Sequence, residues 1–309
     1  MFPDKKSPCY GIFIKEQIET IMKYHSIDYD IYFIDGRKNK WNYIKSISKI
    51  HNMILHNKYD LIHIHYGLAG LFLLKKMRNK IPVVITLHGG DIQKTQKKYI
   101  QVFLTKKILK KIDFAITLND KMNDEVKQFV ARTEVIPCSI DTELFIPPVN
   151  RSRNTPLKVI FPSSKERIEK NYSLFKEVLN LYKQKYSIDL QCIELNKKSR
   201  QQVVELFQIA DVMLMTSYSE GSPQVVKEAM ACNLPVISTK VGDVDYLLNG
   251  VKGSSVVDNK ATSLSEALFL SLNGQISGIE GRERLIELGL DDKTIASRIY
   301  SLYKSLIKI

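Results

Sequence analysis

Two glutamates, Glu220 and Glu228, stand eight positions apart in the string Ser217-Tyr218-Ser219-Glu220-Gly221-Ser222-Pro223-Gln224-Val225-Val226-Lys227-Glu228-Ala229-Met230-Ala231. An ionised carboxylate offers only acceptors, so both suit a ligand that presents hydroxyls. Between them, Gly221, Ser222 and Gln224 lie where a helix start would aim unpaired backbone N–H groups at phosphate. Phosphates with hydroxyls on either side describe a nucleotide sugar. Upstream, the loop from Pro162 to Asn171 carries Lys165, Arg167 and Lys170. Fixed cations beside a departing diphosphate stabilise its growing charge more in the transition state than in the ground state. Two histidines, His65 and His88, end apolar runs, and His88 is followed by Gly89 and Gly90, which let backbone approach a ligand closely.

The elements that must position these residues are legible around them. Asp211 to Thr216 is a short apolar run of the kind expected for a parallel strand buried on both faces, and Leu234 to Ser238 reads as a second strand. Between them Ser222 is the expected N-cap, Pro223 the first helical residue and Asn233 the residue that closes the helix. A strand-loop-helix-strand crossover puts its loop at the carboxyl end of the sheet, where α/β proteins bind ligands.

In chain order, the pattern predicts a helix from about Gly11, a strand over Tyr29 to Ile34 and a helix over Trp41 to His56. It then predicts strands at Asp60 to His65 and Ile81 to His88 around a helix from Leu68 to Met77, and a strand at Phe114 to Leu118. A helix from Lys121 to Phe129 and a short strand at Glu134 to Ile136 follow. The polar run from Pro147 to Pro156 reads as a linker. Beyond it come strands at Leu157 to Phe161 and Ile188 to Leu195, with helices over Asn171 to Tyr186 and Ser199 to Gln208. Helices at Ser263 to Leu272, Ile279 to Leu288 and Asp292 to Ile309 complete the chain. A lone strand histidine is more often a satisfied core residue, and His63 is read so; for His65 too a structural role is preferred.

Glu220, seven residues, Glu228 and then Ala229-Met230-Ala231-Cys232-Asn233-Leu234-Pro235-Val236-Ile237 resemble the signature of family 4 of the retaining GT-B glycosyltransferases. The resemblance covers nearly the whole chain. It implies two doubly wound, Rossmann-like α/β domains facing a central cleft: residues 1–150 for the acceptor, 151–291 for the nucleotide sugar, and 292–309 as a helix crossing back. It implies transfer of a hexose-type sugar from a UDP- or GDP-sugar to a hydroxyl of a glycan or lipid-linked acceptor, with retention and without cofactor or metal. Glu228 would accept from the ribose, Glu220 from the transferred sugar, and His88 would touch the sugar at its reaction centre. Lys170 matches the family lysine. The family arginine's usual spacing falls on Lys165, and Arg167 is the preferred replacement. Gly11, His65, Gly89 and Gly90 would line the acceptor side. Asp245, in Lys240 to Leu248, stands where a glutamate is commoner. Relatives open with an apolar strand, and this chain has none before Phe2, so a missing first strand is expected, through a short gene model or a truncation.

With 309 residues and 44% apolar side chains the chain has enough core for about two domains. No run of about 18 apolar residues suggests a membrane span, and Met1 opens no signal peptide. Cys9, Cys138, Cys192 and Cys232 are too dispersed for a disulfide framework or a zinc site, which fits a reducing cytoplasm. The formal charge is +13, and residues 1–150 hold 24 Lys and Arg against 15 Asp and Glu. The densest segment, Ile92 to Ile112, has seven lysines and no acid, interleaved with Tyr99 and Phe103. It reads equally as a helix on an anionic membrane or as one that packs its apolar side and solvates its lysines. Nucleic acid is disfavoured, since no matching motif accompanies the charge. A non-catalytic, membrane-associated binding subunit and another GT-B activity such as a sugar-nucleotide epimerase remain alternatives.

Overall fold

Apolar runs of three to five residues alternate with helices through most of the chain, and they pair into two parallel sheets. The computed structural model describes residues 11–77, 80–92 and 99–307. The chain divides into two units, Met1–Cys138 with Lys293–Ile309, and Ser139–Asp292. In order the elements are α1 (Ile12–Tyr24), α2 (Asn42–His56), β1 (Ile62–His65), a 3-10 helix (Gly67–Leu74), β2 (Val83–Thr86), α3 (Tyr99–Leu109), β3 (Phe114–Thr117), α4 (Asp120–Val126) and β4 (Thr133–Val135). The second unit continues with β5 (Leu157–Phe161), α5 (Tyr172–Tyr186), β6 (Leu190–Glu194), α6 (Arg200–Ile209), β7 (Val212–Met215), α7 (Gln224–Ala231) and β8 (Val236–Thr239). It ends with α8 (Val244–Leu248), β9 (Ser255–Val257), α9 (Ala261–Leu272) and α10 (Gly281–Glu287), and α11 (Asp292–Leu306) closes the chain.

In the first unit the sheet runs β1-β2-β3-β4, all parallel, with His65 opposite Thr86 and Thr86 opposite Ile116. Strand side chains alternate between faces, so neighbouring residues enter different cores. Ile85 and Ala115 pack with Phe72, Ile108 and Met122, whereas Val84 and Ile116 pack with Ile21 of α1 and Ile295, Ile299 and Leu302 of α11. The close approach of the 3-10 helix to α3 requires small residues: a Cβ on Gly67 would meet Thr105 Oγ1 at 2.2 Å, and one on Gly70 would meet Ile108 Cγ2 at 2.6 Å.

The second sheet has the order β6-β5-β7-β8-β9, again parallel. Ile160, Met213 and Val236 face α6, α7 and α10 through Phe207, Met230 and Leu285, and Val159, Leu214 and Ile237 face α5 and α9 through Phe175 and Leu268. Strand order reverses between β5 and β7, because the chain leaves β5 for β6 on one side and returns to β7 on the other. Ser139–Ile146 belongs to this unit: Arg282 donates to the carbonyls of Thr142 and Phe145, and Gln208 Nε2 to that of Ile146.

Several local expectations are corrected. Tyr29 to Ile34 alternates like a strand but joins neither sheet among the described residues, with Tyr29, Ile31 and Phe33 more than 40% exposed. Alternation marks a candidate strand, and a strand also needs a neighbour to take its backbone hydrogen bonds. The helix expected over Leu68 to Met77 is a 3-10 helix and is shorter, Gly67–Leu74. Pro223, not Ser222, is the N-cap residue of α7, and Ser222 makes no capping bond. Asn233 does close α7, in the left-handed conformation at φ 51°. Lys240 to Leu248 contains α8 (Val244–Leu248). The proposed absence of a first strand concerns residues outside the described ones.

Candidate functional site

The reversal between β5 and β7 places two loops side by side at the carboxyl ends of adjacent strands. After β5 the chain runs through 162–171, and after β7 through 216–223. Asn171, at φ 51°, caps α5 through its side chain and turns the first loop back toward the sheet. The loops are laced together: Thr216 Oγ1 shares its one proton between the carbonyls of Lys170 and Asn171, at 3.1 and 3.0 Å, and Tyr218 N donates to Glu169 O at 2.9 Å. This lacing brings Lys170 Nζ to 2.6 Å from Glu220 Oε1, with only 10% and 15% of the two side chains exposed. Ser217 Oγ donates to the same oxygen at 2.7 Å. A buried ion pair with fixed partners is costly to assemble and is poor evidence of stabilisation by itself. It does hold an ammonium and a carboxylate in one orientation at the ligand-binding edge of the sheet.

The residues between the two glutamates are held from behind. A Cβ on Gly242, whose φ is +57°, would lie 2.4 Å from Gly221 O, so the loops after β7 and β8 touch backbone to backbone. Lys227 is fully buried, and burial raises the Asp243 carboxyl above its ordinary value while the Lys227 charge works to lower it. Gln224 Nε2 donates to Ser139 O at 2.5 Å. Glu228, in the second turn of α7, is 5% exposed and takes Arg200 Nη1 at 2.5 Å. Arg167 is directed elsewhere: its Nε and Nη2 donate to Glu169 Oε1 at 2.8 and 2.6 Å, and both side chains are about half exposed. Lys165 donates its backbone N–H to Glu194. Asp245 pairs with exposed Lys240 at 2.8 Å.

In the first unit the two strand-end histidines meet. His65 Nδ1 lies 3.2 Å from His88 Nε2, and His88 is flanked by the rings of Phe13 at 4.9 Å and Tyr66 at 4.5 Å. His63 stacks on His65 at 4.4 Å and is bonded on both nitrogens, to Tyr303 Oη at 2.5 Å and Thr86 Oγ1 at 2.7 Å. It is therefore a satisfied core histidine, as expected. Burial, reinforced by the neighbouring histidines, pushes His88 down to about 3 and His65 well below its ordinary value, so at neutral pH both rings are uncharged. Gly89 adopts φ 90°, which turns the chain so that Asp91 comes back under His88. The Asp91 carboxylate accepts from His88 N at 3.1 Å and Gly67 N at 3.2 Å. Burial raises its pKa to about 6, against the lowering effect of these N–H donors.

Sequence reasoning missed Arg200, Asp91, Lys227 and Asp243. For Asp91 a signal existed, since a carboxylate after a strand-end Gly-Gly is placed to collect the amides of its own turn. The chain has the Asp-x-Asp spacing at Asp28/Asp30 and at Asp243/Asp245. Asp30 accepts the Tyr59 hydroxyl at 2.6 Å and Asp245 is held by Lys240. Among the described residues no group of three His, Cys, Asp or Glu side chains could hold a metal ion.

Two family models match separate parts of the chain. The family model described as Glycosyl transferases group 1 matches residues 163–290, and the one described as Glycosyltransferase Family 4 matches residues 14–144. An uncharacterised glycosyltransferase of Methanocaldococcus jannaschii is 25% identical over 297 residues, covering 82% of this chain and 81% of the relative. The UDP-Gal:alpha-D-GlcNAc-diphosphoundecaprenol alpha-1,3-galactosyltransferase of Escherichia coli is 24% identical, covering 76% and 72%. Among solved structures, sucrose-phosphate synthase from Thermosynechococcus elongatus superposes with a TM-score of 0.73 at 19% identity, over 91% of this chain and 82% of that one.

Proposed function

The chain belongs to the family 4 glycosyltransferases of GT-B fold, and on that premise we propose that it moves a hexose-type sugar, with retention and without a metal, from a UDP- or GDP-sugar to a hydroxyl of a glycan or lipid-linked acceptor. The observation that carries this reading is the buried contact between Lys170 and Glu220 at the β5/β7 reversal. A carboxylate for sugar hydroxyls and a cation for phosphate lie there within one hydrogen bond of each other. Glu228, eight residues on, supplies an acceptor for the ribose. The Escherichia coli relative's name specifies a UDP-sugar donor and a lipid-diphosphate acceptor, which favours the same classes here.

In this reading the second unit binds the donor. Amides of Gly221, Ser222 and Gln224, with Lys170 and Arg167, hold the diphosphate, and Lys165 lies at the rim of the same loop. Lys170 carries three N–H donors, so it can bind Glu220 and a phosphate oxygen together. The bond from the anomeric carbon to the phosphate oxygen breaks while the acceptor oxygen attacks from the same face. The departing phosphate takes the acceptor's proton, and the cations hold the charge left on the nucleoside diphosphate. The first unit binds the acceptor. His88, uncharged and packed between aromatic rings, offers a neutral hydrogen-bonding edge to the sugar, and Gly11, His65, Gly89 and Gly90 shape the surrounding loops. The exposed Tyr99, Ile100 and Phe103 of α3, beside its lysines, suit an acceptor held at an anionic membrane on its cytoplasmic face.

Thermal unfolding with UDP, GDP, ADP and their sugar conjugates tests the site. A ligand at a hundred times its Kd adds about 2.7 kcal/mol to the native state. One nucleotide should raise the midpoint of the wild type and leave Glu228→Ala unchanged, and its sugar conjugate should release free nucleotide slowly without acceptor. A folded protein that responds to none of these ligands rejects the assignment in favour of a non-catalytic subunit.

A further inference from the structure

We infer that Arg200 is a positioning residue of the nucleotide site, holding Glu228 so that it reads the ribose hydroxyls; this rests on the ribose assignment of Glu228 made above. Arg200 is the first residue of α6, and a capping box of Ser199 and Gln202 fixes that helix start. An arginine there opposes the helix macrodipole, which favours negative charge at the N-terminus. It needs a compensating partner, and Glu228 provides one at 2.5 Å, with side-chain exposures of 20% and 7%. The guanidinium also lies 4.6 Å from the centroid of the fully buried Phe145 ring. Phe145 therefore restrains the guanidinium, and the guanidinium in turn restrains the carboxylate.

Ion-pair stability alone does not account for this arrangement, since two apolar side chains of similar volume would fill such a buried place at no greater cost. A carboxylate has about four lone-pair sites, so the bond at Oε1 leaves capacity for two hydroxyls. Without the arginine, the Glu228 carboxylate loses the group that fixes its rotamer, and hydroxyl recognition weakens. An arginine that touched the phosphates instead would affect ribose and deoxyribose nucleotides equally, which separates positioning from direct binding.

The test is calorimetric titration of the full chain with UDP, GDP and their 2'-deoxy forms. In the wild type, loss of one hydroxyl bonded to a carboxylate should weaken binding roughly ten- to a hundredfold. Glu228→Ala should bring the ribose and deoxyribose affinities within about threefold. Arg200→Gln and Arg200→Met remove the charge in different ways, the first keeping a hydrogen-bonding group and the second an apolar stem over Phe145. Whichever of them folds by circular dichroism should show the same collapse of discrimination, and Arg200→Lys should restore part of it. A variant lacking the Arg200 charge that retains the wild-type ratio, while Glu228→Ala loses it, overturns the role of Arg200 and leaves the ribose assignment standing. Wild type that binds a nucleotide without discriminating ribose from deoxyribose overturns the ribose assignment, and this inference with it. Wild type that binds neither UDP nor GDP overturns the nucleotide site as a whole.

Discussion

Lys170 and Arg167 lie three residues apart in one loop, yet their surroundings assign them different costs. Lys170 is buried against Glu220, so Lys170→Met leaves a carboxylate without its cation in a site of low exposure. Breaking a buried pair from one side typically costs about 3–5 kcal/mol, and losing a donor aimed at developing charge costs on the order of a hundredfold or more in kcat. Arg167 faces an equally exposed Glu169, where such a pair contributes about 0–1 kcal/mol. Chemical denaturation should therefore place Arg167→Ala within about 1 kcal/mol of wild type, while sugar-transfer assays record a fall in turnover for both variants. Wild-type turnover in Arg167→Ala would remove it from the diphosphate site and leave Lys170 and Lys165 as the loop cations there. The sequence displays Glu220 and Glu228 because both sit inside a local string whose turn and helix signals can be read in place, and Lys170 because it matches the lysine of the family that string resembles. It does not display Arg200, whose partner is 28 residues away and is chosen by the order of strands.

At the scale of elements, the sheets were legible wherever apolar runs were buried on both faces, as in Val83–Thr86 and Val212–Met215. They were not legible where pairing decides the outcome. Tyr29 to Ile34 has the period of a strand and pairs with no strand among the described residues, and β9 is a half-buried three-residue strand too short to show a period. The tight contact between the loops after β7 and β8 is equally silent in sequence, because a glycine can mark a turn, a cap or a close approach. Its consequence can be measured. Gly242→Ala forces a Cβ to within 2.4 Å of Gly221 O at a left-handed φ of +57°, so the loop from Gly221 to Gln224 must shift. Gly250→Ala imposes a similar backbone strain at φ +73° with nothing within 4 Å. Both should lose about 1–3 kcal/mol of stability, but only Gly242→Ala should weaken nucleotide binding, by tenfold or more on the scale of one lost hydrogen bond to phosphate. Equal affinities in the two variants would dissociate that loop from the phosphates.

Charge is a property of the whole molecule, and here it is distributed unevenly. Nine of the thirteen net positive charges fall within residues 1–150, and α3 carries Lys106 and Lys107 in its last turn, with Lys110 and Lys111 just beyond. Composition left two readings of this segment level: a helix that buries its apolar side, or one that lies on a membrane. Val102, Thr105, Ile108 and Leu109 are buried, Thr105 and Ile108 against the 3-10 helix, while Tyr99, Ile100 and Phe103 are 74%, 77% and 56% exposed. Lys107 Nζ sits 4.6 Å from the Phe103 ring centroid, so cation and aromatic share the outward face. Among the described residues no helix is long and apolar enough to cross a membrane, so attachment through this segment would be by its surface. Lysines near an anionic bilayer contribute about 1 kcal/mol each, screened by salt, and buried aromatic area adds a term that salt does not weaken. Co-sedimentation with phosphatidylglycerol vesicles should therefore fall when Lys106, Lys107, Lys110 and Lys111 become glutamine, and fall further at high salt. Tyr99→Ser with Phe103→Ser should reduce the binding that survives in salt. Retention of the quadruple variant on vesicles at wild-type levels would reject the lysines of α3 as the contact. Transfer to a water-soluble acceptor should be unchanged in either variant, because none of these side chains belongs to the donor site of the second unit.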